Sequence, residues 1–191
     1  MRNAVARSYL LLAAALAAFL VACDRPQETQ QEPESKQPLP KCREASAGGP
    51  EEVVRALYRA YPPVDLTKYF GYEPKEVLLK YFDEKPAGLL VQIRQCMKRT
   101  GDDCGPGYDL MYDSNTVEIS DFQICSMDPG TNTVTAQFRD ADRPKFVKYK
   151  LTHTRAGWRI ADILYSRKPD DPYGGSMTKL LAALLSDEAS N

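Results

Sequence analysis

The spacing of the apolar residues changes once along this chain, near Gly101, and this change constrains the fold more than any other feature. Before Gly101, apolar residues recur at the period of an amphipathic helix. After it, valine, isoleucine, threonine and aromatic residues alternate with polar ones, which is the period of a strand. Helices followed by consecutive strands are typical of the α+β class, with the helices on one side of an antiparallel sheet.

Three helices are predicted in the first half of the chain. Pro50 to Glu52 begin the first helix, because proline and acidic residues favour a helix amino terminus, and Pro62 ends it. A second helix starts at Pro74, and a third resumes at Asp83 or Pro86. Their apolar stripes contain Val53, Val54, Leu57, Tyr58 and Tyr61, then Val77, Leu78, Tyr81 and Phe82, then Leu89, Leu90, Ile93, Cys96 and Met97.

The second half predicts an antiparallel meander and a closing helix. The strands are Thr116 to Ser126, Thr133 to Arg139, Phe146 to Thr154 and Trp158 to Tyr165, and they are separated by Asp128-Pro129-Gly130, Arg143-Pro144 and Ala156-Gly157. A shift of the apolar phase near Ser120-Asp121 predicts a bulge and a bent sheet. Ser176 can cap a last helix whose apolar stripe runs from Met177 to Leu185. The expected fold is N-terminal helices packed on a curved four-stranded antiparallel sheet, with a short C-terminal helix.

The amino terminus has the features of a bacterial lipoprotein signal. Arg2 and Arg7 precede an uncharged run from Leu10 to Ala22, which is shorter than the roughly 20 residues of a membrane-spanning helix. Leu20-Val21-Ala22-Cys23 resembles a lipobox, and this resemblance implies that Cys23 is lipidated and anchors the chain by more than one acyl chain. A plain cleaved signal with an incidental cysteine is the alternative. Asp24 resembles the residue that keeps some lipoproteins on the inner membrane.

The remaining chain divides into a tether and one domain. Residues 1–22 form the predicted signal peptide and residues 23–41 the lipidated cysteine and its tether, which has four prolines, four glutamines and three glutamates and cannot bury enough surface to fold. Residues 42–191 are predicted to form a single α+β domain. The net charge of -1 gives no electrostatic reason to expect nucleic acid as a partner.

Several motifs in this domain resemble those of a known bacterial family. They are Leu66-Thr67-Lys68-Tyr69-Phe70, Tyr81-Phe82-Asp83, the Cys96 to Cys104 loop, Tyr108-Asp109-Leu110 with Asp113-Ser114, and Trp158-Arg159-Ile160-Ala161-Asp162-Ile163. Together they resemble bacterial proteins with the domain of unknown function 3828, a branch of the nuclear transport factor two-like, cystatin-like folds. The resemblance implies a long helix in the hollow of a curved sheet, and it implies no activity.

Four cysteines remain once Cys23 is set aside, and four cysteines allow three pairings. We favour Cys96 with Cys104, across a short glycine-containing turn after a helix, which leaves Cys42 with Cys125. An exported chain meets the oxidising conditions that disulfides require. A zinc site is the alternative, but the tight ligand pairs typical of zinc sites are absent from the sequence.

The sequence indicates no catalytic residue, metal or cofactor. The single histidine, His153, lies near a strand end, and the acids between Asp102 and Asp113 do not match a calcium-binding loop. Asp162 alternates with Ile160 and Leu164 and is expected to share their face of the sheet, where apolar surroundings would suit acid or base chemistry. Tyr58, Tyr149 and Tyr165 are candidate walls of such a pocket and equally good core residues.

Two functions are therefore expected from the sequence. The first is a non-catalytic interaction or accessory module of the cell envelope, anchored by its lipid on the periplasmic side of a membrane and binding an envelope protein. The alternative is a small-molecule binding or lyase/isomerase-type enzyme pocket around Asp162. A hollow filled by side chains favours the first, and a roomy apolar cavity that exposes Asp162 favours the second.

Overall fold

The structure, a computed structural model, describes residues 38–43, 45, 47–62, 70–100, 104–115, 118–165 and 175–189. These residues belong to one compact unit, which spans Lys36–Asn191. The predicted signal peptide, Cys23, Asp24 and most of the tether lie outside the described residues. Within the described ranges, no helix is long and apolar enough to cross a membrane.

The predicted helices are present. Helix α1 spans Glu52–Ala60, α2 spans Lys75–Leu78, α3 spans Glu84–Thr100 and α4 spans Met177–Ala189, with a short 3-10 turn at Phe70–Tyr72. Helix α1 buries Val54, Leu57 and Tyr58, which belong to its predicted apolar stripe. Each helix therefore lies where an apolar stripe predicts one, because burial of the apolar face in the core stabilises the helix.

The strands form one antiparallel sheet. They are β1 (Ile119–Ile124), β2 (Thr133–Asp140), β3 (Arg143–Thr154) and β4 (Gly157–Tyr165), in the order β1-β2-β3-β4. The α+β class, the four-stranded meander and the C-terminal helix are thus confirmed. The pairing of β1 with β2 is irregular between Ser120 and Gln123, where the phase shift predicted a bulge. A second irregularity lies between Lys150 and Leu151 of β3.

The turn between β2 and β3 differs from the prediction at Arg143-Pro144. The turn residues are Ala141 and Asp142, both with positive φ, and Pro144 is a strand residue opposite Arg139. Two residues with positive φ suit the twist of a tight hairpin. Proline is tolerated here because the ladder of β3 with β4 begins only at Val147, so the missing N–H of Pro144 costs no bond to β4.

The core lies between the helices and one face of the sheet. Its largest fully buried side chains are Tyr112, Tyr149, Phe70, Phe82, Phe138, Leu57, Leu78, Leu90, Leu110, Met111, Ile160 and Ile163. Strand β4 is tied to the helical half by main-chain bonds, since Ile160 N donates to Tyr81 O at 2.8 Å and Asp83 N donates to Ile160 O at 2.9 Å. Burial of each large side chain stabilises the fold by about 1.5–3 kcal/mol.

Both favoured cysteine pairs are at disulfide distance. The long-loop disulfide joins Cys42 to Cys125, with 5.3 Å between their Cα atoms, and the short-loop disulfide joins Cys96 to Cys104, with 6.0 Å. The long-loop disulfide fastens the segment before α1 to the end of β1. That segment makes contacts already at Pro40, inside the predicted tether, whose carbonyl accepts a bond from Gln137.

Candidate functional site

The three tyrosines predicted as pocket walls, Tyr58, Tyr149 and Tyr165, form a hydrogen-bonded cluster. Tyr149 Oη donates to Tyr58 Oη at 2.7 Å, and Tyr58 Oη donates to Met111 O at 2.9 Å. Tyr165 Oη donates to Leu110 O at 2.8 Å. The three tyrosines proposed as pocket walls therefore converge on one short segment of main chain, and each hydroxyl has a hydrogen-bond partner there.

Burial makes the hydroxyls of Tyr58 and Tyr149 poor acids. It raises the pKa of Tyr58 and of Tyr149 well above the ordinary value of 10.0. Tyr112 also donates its hydroxyl to a main-chain carbonyl, that of Tyr61, at 3.2 Å. A buried phenol that is hydrogen-bonded to main-chain carbonyls stays protonated at neutral pH, so this cluster supplies packing and main-chain bonds rather than a proton acceptor.

Asp109 shapes the segment that contains Leu110 and Met111, whose carbonyls accept the tyrosine hydrogen bonds. Its carboxylate accepts bonds from Met111 N at 2.7 Å and from Tyr112 N at 3.3 Å, which closes a tight turn. Burial raises the pKa of Asp109 above the ordinary value of 3.8, while the two main-chain bonds oppose that rise. Asp109 thus holds a turn in place, whereas Asp102 and Asp103 lie outside the described residues. Within the described part of the chain, no group of three His, Cys, Asp or Glu residues can hold a metal ion.

Asp162 shares a face of the sheet with Leu164, as expected, but not with Ile160, so the expectation is wrong for Ile160. Opposite β3, Ile160 pairs with Leu151 and Asp162 pairs with Lys150, which leaves Ala161 without a partner at the bulge. The extra residue shifts the side-chain phase by one position. As a result Ile160 and Ile163 are both buried in the core, and Asp162 lies opposite an exposed lysine.

Asp162 caps helix α4. Its carboxylate accepts bonds from Thr178 N at 3.0 Å, from Ser176 Oγ at 2.6 Å and from Thr178 Oγ1 at 3.1 Å. A carboxylate beside the first main-chain N–H groups of a helix also complements the positive end of its dipole. All three bonds converge on its carboxylate, so Asp162 acts as a structural hydrogen-bond acceptor.

Gly175 brings the cap within reach of β4. Tyr165 N donates to Gly175 O at 2.7 Å, and φ at Gly175 is +68°. A Cβ atom at this position would lie 2.3 Å from Tyr165 O, so only glycine fits.

The described residues contain an open groove between α1 and β1. Its volume is about 520 Å³, which is within the range of binding sites, and it does not include Asp162. It is lined by Cys42, Ala45, Arg55, Tyr58, Arg59, Phe122, Gln123 and Ile124. Of the residues predicted as pocket walls, Tyr58 alone lines it.

Comparison with protein-family models, curated proteins and solved structures found no match for this chain. Its function must therefore be inferred from its own side chains.

Aromatic rings form the floor of the groove and arginines form one wall. The rings of Tyr58 and Phe122 have centroids 4.6 Å apart, and Phe122 is 40% exposed, one of the two large apolar side chains exposed among the described residues. Arg55 bonds Ala45 O at 2.7 Å and Glu52 at 3.2 Å, and Arg59 also contacts Glu52. The arginine contacts lower the pKa of Glu52.

Sequence reasoning missed the groove, although two signals pointed to parts of it. Arg55 and Arg59 are one helical turn apart, so they lie on the same side of α1. Phe122 stands in the phase that follows the predicted bulge of β1. Their meeting across the groove depends on how α1 is placed beside the sheet, which neither local pattern specifies.

Proposed function

We propose that this chain is a membrane-anchored periplasmic lipoprotein whose folded domain is a non-catalytic interaction or accessory module of the cell envelope. The observation that carries the proposal is the buried cluster of Tyr58, Tyr149 and Tyr165. Its polar groups are bonded to main-chain carbonyls, and the carboxylate expected in the pocket caps α4 instead. Enzyme sites need reactive groups that converge on an accessible cavity, and interaction modules need only a suitable surface.

We infer that the sheet curves around the N-terminal helices, as in the nuclear transport factor two-like folds that the sequence resembles. Two bulges support this inference, one in the pairing of β1 with β2 and one in the pairing of β3 with β4. Bulges increase the local twist and bend a strand. In this arrangement the tyrosine cluster fills the hollow that related folds use as a pocket.

The anchor is tested by mass analysis of the mature amino terminus. We expect a lipid-modified Cys23 as the first residue, retention of the protein in the membrane fraction, and loss of both in Cys23→Ser. An unmodified amino terminus elsewhere would overturn the anchor. If Asp24 sorts the protein, the lipidated chain fractionates with the inner membrane.

The interaction role is tested by crosslinking in intact cells. We expect a specific envelope protein to be captured by the wild-type chain and capture to fall in Cys23→Ser, because anchoring raises the local concentration of the module near membrane partners. A wild-type chain that never captures an envelope protein, under conditions in which a known envelope complex is captured, would contradict the role.

A further inference from the structure

The segment that leads from the predicted tether into the domain forms a strap, a name used here for residues 38–43 and Ala45. These residues form no helix or strand. The strap runs from β2, past the end of β1, to α1. Three of its main-chain carbonyls accept hydrogen bonds from these elements: Pro40 O from Gln137 at 2.8 Å, Arg43 O from Ser126 at 2.7 Å and Ala45 O from Arg55 at 2.7 Å.

The strap adds little to the apolar core. Leu39, Cys42 and Ala45 are half-buried, and the other residues of the strap are exposed. Segments that bury few apolar side chains open at a lower free energy than the core does. The covalent bond from Cys42 to Cys125 is therefore the strongest attachment of the strap to the sheet.

The chain after the strap reaches a buried carboxylate. Glu51 is 4% exposed and precedes α1, and its Oε1 accepts a bond from Met127 N at 2.6 Å. Its Oε2 is also buried, and no described residue donates a hydrogen bond to it. A buried acceptor without a partner costs free energy. Since Met127 lies just after Cys125, the long-loop disulfide closes a junction whose hydrogen bonds are incomplete.

The two disulfides differ in how far a reductant can reach them. Cys42 and Cys125 are both half-buried, and Cys42 lines the open groove. Cys96, one end of the short-loop disulfide, is fully buried in α3. Thiol–disulfide exchange requires a thiolate to reach a sulfur atom, so the long-loop disulfide is the more accessible of the two.

We propose that the long-loop disulfide is a redox-sensitive latch, whose reduction by a protein dithiol releases the strap while the rest of the domain stays folded. One thiolate of the dithiol attacks a sulfur of the latch and forms a mixed disulfide, which the second thiol resolves. Two electrons and two protons pass to Cys42 and Cys125, which become thiols, and the dithiol becomes a disulfide. The groove then loses the part of its lining that Cys42 and Ala45 supply.

Release of the strap also lengthens the connection between the domain and its anchor. With the latch closed, the chain from the anchor is joined to the sheet at Cys42. With the latch open, residues 42–50 join the tether and add up to about 30 Å when extended. This longer reach rests on the lipid anchor and the interaction role proposed above. The latch itself depends on neither, so a chain without lipid would leave it standing, and a failed latch would leave the interaction role standing.

Reduction of the purified full-length chain tests the latch. Reduced thioredoxin is the probe, and alkylation followed by mass spectrometry identifies the free cysteines. We expect Cys42 and Cys125 to become free at least about tenfold faster than Cys96 and Cys104, because access limits the exchange. Equal rates, or faster reduction of the short-loop disulfide, would overturn the proposal.

Amide exchange measured by NMR shows what the reduction releases. Ser126 N donates to the strap, whereas Ile160 N donates to Tyr81 O between β4 and the helical half. On reduction we expect exchange at Ser126 to rise at least about tenfold and exchange at Ile160 to stay within about twofold. An unchanged Ser126 would mean that the strap stays bound without its disulfide. An equal rise at both residues would mean that the whole domain opens, and either result contradicts the latch.

Two double-serine variants separate the disulfides. Cys42→Ser with Cys125→Ser should show the fast exchange at Ser126 without any reductant. Cys96→Ser with Cys104→Ser is the matched control, which keeps the latch and should respond to thioredoxin as the wild-type chain does. A control variant with fast exchange at Ser126 before reduction would count against the latch. So would a Cys42 and Cys125 variant that is unfolded by circular dichroism, because the proposal requires the domain to fold without this disulfide.

Discussion

Replacing Asp162 by alanine tests whether this carboxylate is a helix cap rather than a pocket acid. The substitution removes the acceptor for Thr178 N, Ser176 Oγ and Thr178 Oγ1. Loss of a capping side chain costs about 1 kcal/mol, and a bond to a charged acceptor contributes about 1.5–3 kcal/mol. Because the site is only partly buried, water replaces some of these bonds. We expect a loss of about 2–3 kcal/mol, which lowers the Tm by roughly 4–12 °C.

Asp162→Asn is the matched control. Asparagine keeps an oxygen for Thr178 N, and its amide can donate to the hydroxyls of Ser176 and Thr178, which then act as acceptors. Only the charge near the start of α4 is lost, which costs about 0.3–1 kcal/mol.

Urea unfolding followed by circular dichroism measures both free energies. A fully stable Asp162→Ala, or an Asp162→Asn as unstable as the alanine variant, would refute the capping role.

Three further sets of substitutions test the core, the disulfides and the tyrosine loop. Tyr149→Phe removes a buried hydrogen-bond donor to Tyr58 and should lower the free energy of unfolding by about 1–2 kcal/mol. The control Tyr72→Phe, at an exposed site, should change it by less than about 0.5 kcal/mol. Equal effects of the two variants in urea unfolding would contradict the buried hydrogen-bond network. Replacing both cysteines of the long-loop disulfide by serine should lower the free energy of unfolding by about 4.5 kcal/mol, because this disulfide closes a loop of 83 residues. The same change in the short-loop disulfide, which closes 8 residues, should cost about 2.5 kcal/mol. A larger loss from the short-loop variant in thermal unfolding would count against loop entropy as the cause. Because burial raises the pKa of Asp109, its contribution to stability is full below the ordinary value of 3.8 and is lost as pH rises through the raised pKa. Asp109→Asn should therefore gain stability relative to wild type as pH rises to neutral, and a difference in unfolding free energy that does not change with pH would contradict this cause.

The positions of helices and strands could be predicted because their signals are local. The stripe around Leu57 and Tyr58 has the helical period, and the alternation along β2 and β3 has the strand period. The favoured cysteine pairing rested on one local argument, that Cys96 and Cys104 flank a single turn, and the structure places both favoured pairs at disulfide distance. The bulge of β1 was visible as a phase shift within a single strand.

Asp162 shows where local reasoning fails. Strict alternation places it with Ile160, but the bulge opposite Leu151 inserts one residue and moves it to the other face. The sequence of β4 alone carries no sign of this bulge, because Ala161 is compatible with either phase. Its capping partners Ser176 and Thr178 belong to another element, 14 and 16 residues further along the chain, so only the approach of α4 to β4 decides that its carboxylate is used there.

By itself, the sequence determined the class of the fold and the order of its elements, and it gave the expectation of a lipid anchor, because these depend on patterns within short stretches. It favoured one of three cysteine pairings without determining it. Only the tertiary structure decided that the tyrosine hydroxyls meet near Leu110 and Met111 and that Arg59 and Phe122 line one groove. The physical reason is that burial and hydrogen-bond partners depend on contacts between distant segments. The periodicity of a sequence indicates which face of a helix or strand is apolar, and tertiary packing determines which residues that face contacts.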